Sequence, residues 1–395
     1  MQAAVHVPNT PILKIVNDFE IPKPGPNQVL LKVQASGCCH SDVFLLSQFP
    51  DDPRTYIMGH EATGIAVALG SSVTKIDLNK KYCVLSFGGC ISCLASSMKI
   101  PPSESPQQAF LNLPFFGIGA NGGHTEYAVV DEDALVPVPD NVLPEHAAVM
   151  ADAGITAWHA ISKTAGIQKG ERVLITGIGG LGLLAVQFAV FLGAEVYAVD
   201  MRPTSRELAV KFGARKAFDL AQLDAELAKG FQVDCAVDFV STDTTFTREA
   251  AAVGQVAIGS NLQKNGRIVI VGLSDQNLVL NVFSALFVGL EGNKPLDNDI
   301  VILSLSLMIS FLFSAVRFSI YGVREDLVEI LDLGHIKPVV DTLPLHEANE
   351  AYNELRANLV LSRKVHYILL SSPIVWADCV LLLSKVLIPP AFWKD

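Results

Sequence analysis

The stretch Glu171–Asp200, ERVLITGIGGLGLLAVQFAVFLGAEVYAVD, decides the fold. It reads as a buried-type strand (RVLIT), a glycine turn, a long apolar helix and a second strand ending in aspartate. Gly177, Gly179 and Gly182 make a G-x-G-x-x-G pattern. Alone that pattern is weak. Here it follows a strand and opens a helix, and Asp200 stands about twenty residues further on. Gly177 permits the tight turn, Gly179 lets a pyrophosphate approach the backbone, and Gly182 lets the helix pack close to the strand. With Gly180 and Leu181 these residues form a helix N-terminus, whose free N–H groups and partial positive charge suit an anionic cofactor. Asp200 can accept hydrogen bonds from both ribose hydroxyls and would repel a 2′-phosphate, which favours NAD over NADP. Arg202 weakens that preference, since an arginine can pair with such a phosphate.

Outward from this unit, FQVDCAVDFV and GRIVIVGL read as two more buried strands. Strands alternating with helices imply a parallel sheet covered on both faces. Upstream the pattern is β: QVLLKVQASG after the Pro/Gly-rich IPKPGPN, then ATGIAVALGSSV and GGHTEYAVV. From about Pro144, PEHAAVMADAGITAWHAI has helical spacing with proline near its start. The class is therefore α/β, a β-rich front domain plus a doubly wound domain, and 395 residues are enough for both. No internal repeat is present.

Composition narrows the function. Half of the residues are apolar, which excludes a disordered chain. The net charge of −11 and the lack of a Lys/Arg cluster exclude nucleic acid as a partner. The opening MQAAVHVPNTPILKIV lacks the form of a signal peptide, and seven cysteines make no regular disulfide framework. Both point to a cytoplasmic location, where cysteines more often bind metal or do chemistry. The uncharged run Ile300–Val316 sits at the short edge of what spans a bilayer, and four serines interrupt it.

Two short segments carry ligand chemistry. SGCCHSDVF, Ser36–Phe44, offers Cys39 and His40, and MGHEATG offers His60 and Glu61. Thiolate plus imidazole suits zinc. A histidine beside a glutamate in a β-rich domain is more often structural, but a dinucleotide turn in the same chain changes the odds.

Taken together, the motifs resemble the zinc-dependent alcohol dehydrogenases of the medium-chain dehydrogenase/reductase superfamily. GCCHSD is similar to that family's G-x-C-H-[ST]-D motif and GHEATGIAVALGSSV to its G-H-E-x-x-G zinc motif. AGITAW, TGIGGLG, GRIVIVGL and AYNELRANLVLSRKV follow in the family's order. The resemblance covers about residues 1–290 and 318–367. It implies a GroES-like catalytic domain over 1–153, completed by 318–370, and a Rossmann NAD(P)-binding domain over 154–317, with the active site between them. It implies one catalytic zinc held by Cys39, His60 and a third ligand. Asp152 stands where many members have cysteine, and some secondary-alcohol-type members also use aspartate. Cys38 is expected to point away from Cys39 into the core.

The resemblance further implies roles around the zinc. Ser41 corresponds to the residue that passes the alcohol proton toward the nicotinamide ribose. Glu61 and Asp42 would stand behind the ligands. His40 and Arg363 would meet the cofactor phosphates, although Ser362 replaces the usual glycine. Thr156, Val271 and Leu273 would line the nicotinamide. The substrate would be a small alcohol or its carbonyl product, and relatives form dimers or tetramers, which implies a homo-oligomer.

Three departures stand out. Phe44 replaces the histidine that ends the family's proton relay, so protons are expected to leave through water. The lobe that binds a structural zinc with four cysteines keeps only Cys90 and Cys93, with Ser96 and Glu104 near the other positions. Two thiolates do not close such a site, so no structural zinc and a loose lobe over 94–116 are expected. About twenty-five residues, 292–316, intrude before FSIYGV, and 371–395 extend past the expected end. Both stretches are read as artefacts of the gene model rather than a membrane anchor or an oligomer contact. Two rival functions remain: a zinc-free quinone or enoyl reductase of the same superfamily, and a non-catalytic nucleotide-binding protein disabled by its insertions.

Overall fold

The computed structural model describes residues 1–48, 52–86, 115–253, 266–272, 301–302 and 323–368. The Cys90–Cys93 pair, Leu273, the tail 371–395 and most of 292–316 lie outside the described residues.

The front domain is built on a strand with strict alternation. In Gln28–Cys38 the side chains of Val29, Leu31, Val33 and Ala35 are buried while those between them are half-covered. That two-residue period puts one face on a core and the other toward solvent. Around it the sheet runs Leu135–Pro137, Lys81–Val84, Glu61–Leu69, Gln28–Cys38, Arg363–Tyr367, Val340–Pro344, with Tyr127–Asp131 also paired to Gln28–Cys38. Arg363–Tyr367 comes from the C-terminal part of the chain, yet it pairs antiparallel with the end of Gln28–Cys38, Lys364 opposite Cys38. That register places the C-terminal strand directly beside the CCHSD segment.

The second sheet is wholly parallel. Its order is Lys216–Phe218, Glu195–Val199, Arg172–Thr176, Cys235–Asp238, Arg267–Ile270, Val301–Ile302. The central strands are buried almost end to end, as strands covered on both faces must be. The order reverses between Arg172–Thr176 and Cys235–Asp238, and crevices for ligands open at such switch points. Val301–Ile302 belongs to the stretch expected to be an intrusion, yet it pairs in parallel with Val269 and Ile270.

A nearly continuous helical run, Pro144 to Thr164, links the two sheets. It starts with proline in the first turn, where the missing N–H costs nothing. Its α-helical parts, Pro144–Val149 and Ile155–Trp158, alternate with π-helical turns at Met150–Gly154 and His159–Thr164. Ala147, Val149, Trp158 and Ile161 pack into one cluster with Val173, Ile175 and Phe188 of the parallel sheet and its first helix. Among the described residues no helix is long and apolar enough to cross a membrane.

Candidate metal centre and cofactor turn

The CCHSD segment places its groups through a helix start. The helix His40–Gln48 begins immediately after Cys39. Asp42, in the first turn, accepts a hydrogen bond at Oδ2 from the Cys39 backbone N–H at 3.0 Å. A carboxylate is favoured there by the exposed N–H groups of the first turn. The bond ties Cys39 to Asp42, and Asp42 is completely buried. Its Oδ1 accepts from His60 Nδ1 at 2.9 Å, which orients the imidazole.

His60 and Glu61 open the strand Glu61–Leu69. Glu61 lies opposite Gly37 in the register. A Cβ on Gly37 would stand 2.0 Å from Glu61 Oε2, so only glycine lets that carboxylate lie across the neighbouring strand. The third group comes from the π-helical turn Met150–Gly154, which carries Asp152. A single π-turn inside an α-helix often marks a functional position.

Cys39, His60, Glu61 and Asp152 each offer a ligand atom, and these atoms lie within 4.8 Å of one another. Cys39 Sγ is 3.5 Å from Asp152 Oδ2, and His60 Nε2 is 3.6 Å from the same oxygen. Burial works against charge on Asp152, yet His60 and Arg363 hold its carboxyl well below the usual carboxylate range. Burial also opposes a proton on His60, but Asp42, Asp152 and Cys39 push it well above the usual histidine value. The cluster draws positive charge to one point. Asp152 is the member that reaches solvent, with 21% of its side chain exposed against 3% for His60.

Arg363 enters this cluster. It is buried, pairs with Glu61 through Nη2 and through Nε at 3.2 Å, and reaches Asp152 Oδ2 at 3.4 Å. Burial pushes the Glu61 carboxyl up even with the guanidinium against it. The same arginine's Cδ would lie 3.2 Å from a Cβ built on Gly180, so its stem runs along the start of the glycine-turn helix.

The glycine turn has the form its sequence requires. Gly177 has φ +87°, which an L side chain rarely adopts. A Cβ on Gly182 would stand 1.9 Å from Gly177 O, whereas one on Gly179 would meet nothing within 4 Å. The helix Gly180–Phe191, with Leu181 half-buried in its first turn, therefore starts beneath open space. Asp200 faces this turn and accepts the Ile178 N–H at 2.9 Å. Arg202 occupies it as well: Nε to Oδ1 at 3.0 Å, Nη2 to Oδ2 at 3.0 Å, and its own N–H to Oδ1 at 2.8 Å.

The remaining expected residues fall around these two centres. Ser41 Oγ lies 3.4 Å from Cys39 Sγ. His40 is exposed at the helix start, and Thr156 is half-buried one turn beyond Asp152. Val271 is half-buried and donates its N–H to Asp238 O at 2.8 Å. Cys38 is buried and turned away from the cluster, as expected, but toward a polar neighbour, His366 Nε2 at 3.2 Å. The sequence reading missed a buried polar group: Ser36, His124, Tyr352 and His366. His124 and His366 occupy positions in apolar strand-like stretches, where a histidine is the only available signal.

Comparison with known proteins agrees with this geometry. Residues 25–140 match the alcohol dehydrogenase GroES-like domain family, and residues 180–292 match the zinc-binding dehydrogenase family. An alcohol dehydrogenase of Geobacillus stearothermophilus is 28% identical over 362 residues, 89% of this chain and 94% of that protein. An NAD-dependent alcohol dehydrogenase of Sulfolobus acidocaldarius is also 28% identical, over 89% of this chain and 95% of its own length. The solved acetophenone reductase of Geotrichum candidum, in complex with NAD, superposes with a TM-score of 0.68 at 28% identity, covering 93% of this chain and 96% of that one. With its two sheets, its gathered Cys–His–Asp donors and its glycine turn, the chain belongs to the zinc-dependent alcohol dehydrogenases of the medium-chain dehydrogenase/reductase superfamily, oxidoreductases that move a hydride between an alcohol or carbonyl compound and a nicotinamide nucleotide.

Proposed function

We propose that this chain holds one zinc ion on Cys39, His60 and Asp152, and that it interconverts a small alcohol and its carbonyl product with NAD as the hydride partner. The observation that carries the reading is the spacing of the donors. Ligands on a tetrahedral zinc, with bonds of about 2.0–2.3 Å, stand roughly 3.3–3.8 Å apart. The separations of 3.5 Å and 3.6 Å about Asp152 Oδ2 fit that shape. The set also has the right chemistry, one thiolate, one imidazole and one carboxylate. Such donors argue against the zinc-free reductase and the non-catalytic readings.

When bound, zinc supplies a Lewis acid that acidifies the alcohol, and NAD supplies the hydride acceptor. The protein's own groups do the rest. Asp42 fixes the His60 ring, and Glu61 with Arg363 balances charge behind the cluster. Ser41, 3.4 Å from Cys39 Sγ, would accept the substrate's hydroxyl proton as it passes its own toward the nicotinamide ribose. Gly177, Gly179, Gly180, Leu181 and Gly182 present the helix start to the pyrophosphate, with His40 and Arg363 nearby. Thr156 and Val271 would line the nicotinamide end.

The preference for NAD rests on Asp200. Its oxygens already carry Arg202, so a bound ribose must displace that guanidinium, and the preference is weaker than an unpaired aspartate would give. We place the GroES-like domain at 1–153 plus 318–370 and the Rossmann domain at 154–317, in a cytoplasmic homo-oligomer.

Metal content tests the centre. Protein dialysed against buffer should retain about one zinc per chain, and Asp152→Ala should lose it together with NAD-dependent alcohol oxidation. About two zinc ions would mean that the Cys90 region also binds metal, and none in folded protein would overturn the reading.

A further inference from the structure

The groups behind the metal centre do not stop at Asp42. Tyr352 Oη lies 3.0 Å from Asp42 Oδ2. His124 Nε2 lies 2.8 Å from the same hydroxyl, and Ser36 Oγ lies 2.8 Å from His124 Nδ1. Ser36, Asp42, His124 and Tyr352 all have no exposed surface. They come from four places: the strand Gln28–Cys38, the helix His40–Gln48, the segment before Tyr127–Asp131, and the C-terminal helix Ala348–Arg356.

Hydrogen-bond chemistry orders the protons along this chain. An ionised carboxylate only accepts, so the single Tyr352 proton points at Asp42. The tyrosine oxygen then offers lone pairs to His124, so His124 Nε2 carries the hydrogen. Burial keeps that imidazole neutral, pushing it down to about 3. A neutral ring has one N–H, so Nδ1 accepts and the Ser36 hydroxyl donates. On the other side, His60 Nδ1 faces Asp42 Oδ1 at 2.9 Å, so a ring that offers Nε2 to a metal must carry its proton at Nδ1 and give it to Asp42. Each proton in the network points one step nearer to Asp42. A buried hydroxyl at 352 costs stability unless it is bonded, so a purely apolar role would be better filled by phenylalanine.

We propose that Tyr352 and His124 are positioning residues of the metal centre: a directed donor chain, anchored on the C-terminal helix, that holds Asp42 in the orientation that makes His60 an Nε2 ligand. This rests on the metal reading above. Without the Tyr352 hydroxyl, Asp42 Oδ2 keeps only the Cys39 N–H, and its grip on the imidazole loosens.

The test is metal affinity, measured on the full chain by competition for Co²⁺ or Zn²⁺ with a chromophoric chelator, alongside thermal unfolding of the metal-stripped protein. Tyr352→Phe should weaken binding by roughly 10–100-fold. His124→Phe, one bond further out, should weaken it less, and the two effects should not add in the double variant because both act through Asp42. Tyr82→Phe is the control; its hydroxyl accepts from the Asp77 N–H at 2.9 Å, apart from the centre, so it should lower the unfolding midpoint and leave affinity alone. Unchanged affinity in both Tyr352→Phe and His124→Phe, with only the midpoint lowered, overturns the proposal. Should Tyr352→Phe not fold, unchanged affinity in His124→Phe alone overturns it. A wild-type chain that binds no metal overturns the metal reading itself, and this inference with it.

Discussion

Gly179 and Gly182, two and five residues after Gly177 in one motif, make opposite predictions. A Cβ at Gly182 would stand 1.9 Å from the Gly177 carbonyl oxygen, while real contacts of this kind begin near 3.0 Å. Gly182→Ala therefore forces helix and turn apart by about 1 Å, at a cost of about 1–3 kcal/mol or more, because the obstruction is backbone. At Gly179 a Cβ meets nothing within 4 Å and φ is −97°, so alanine is sterically accepted. Glycine is a slightly better helix cap than alanine, and alanine restricts the unfolded chain more, two effects of about 0.5 kcal/mol that nearly cancel.

In the proposed reading, a pyrophosphate approaches through the open space above Gly179. Gly179→Ala should leave stability within about 0.5 kcal/mol of wild type yet weaken NAD binding by about tenfold or more, 1.4 kcal/mol per decade. Gly182→Ala should lose both. Urea unfolding reads the first quantity, and titration of NADH fluorescence reads the second. Full NADH affinity in Gly179→Ala would place the phosphates elsewhere. Undiminished stability in Gly182→Ala would refute the close-packing argument.

Other expectations follow from side chains. Removing the guanidinium in Arg202→Ala frees both Asp200 oxygens and takes away the nearest partner for a 2′-phosphate. The ratio of kcat/KM for NAD over NADP should rise about tenfold, the worth of one hydrogen bond to a charged group; an unchanged ratio would sink the reading. Glu249 is fully buried, and burial together with Asp238 pushes its carboxyl well above the usual range. Its folded pKa exceeds its unfolded one, so its stabilisation is complete below the unfolded value and falls by about 1.4 kcal/mol per pH unit as pH rises toward the folded value. Glu249→Gln should flatten the stability profile above about pH 5, where the unfolded carboxyl has ionised and the folded one has not, and an equally steep profile in the variant would contradict it.

The fold was legible because both halves repeat a period. Val29, Leu31, Val33 and Ala35 alternate, and RVLIT, EVYAV and RIVI are continuous apolar runs, as half-covered and fully covered strands must be. Cys39, His60 and Glu61 stood out in the sequence as thiol, imidazole and carboxylate groups in short segments, whereas Asp42 was named only through the family resemblance, because the helix start that places it leaves no strong mark in the pattern. Asp152 was legible only by family resemblance, since a π-turn leaves no mark in the pattern. The Ser36–His124–Tyr352 network was not legible at all. Its members span more than three hundred residues, from Ser36 to Tyr352, and each alone looks like an ordinary strand or helix residue.

The C-terminal return connects the Cys39–His60–Asp152 cluster with the glycine turn. Arg363 begins the strand that pairs with Gln28–Cys38, so its backbone belongs to the front sheet. Its guanidinium holds Glu61 and touches Asp152, and its stem lies against the start of the helix Gly180–Phe191 in the other domain. Eleven residues earlier, Tyr352 reaches Asp42 from the same return. One segment thus reaches Asp42 behind His60, pairs with Glu61 and Asp152, and lies along the start of the helix Gly180–Phe191. A buried ion pair of this kind adds little to stability compared with apolar packing, but it fixes geometry. In the proposed reading, the geometry so fixed would set the distance between the alcohol and the nicotinamide, which hydride transfer requires to be short and constant.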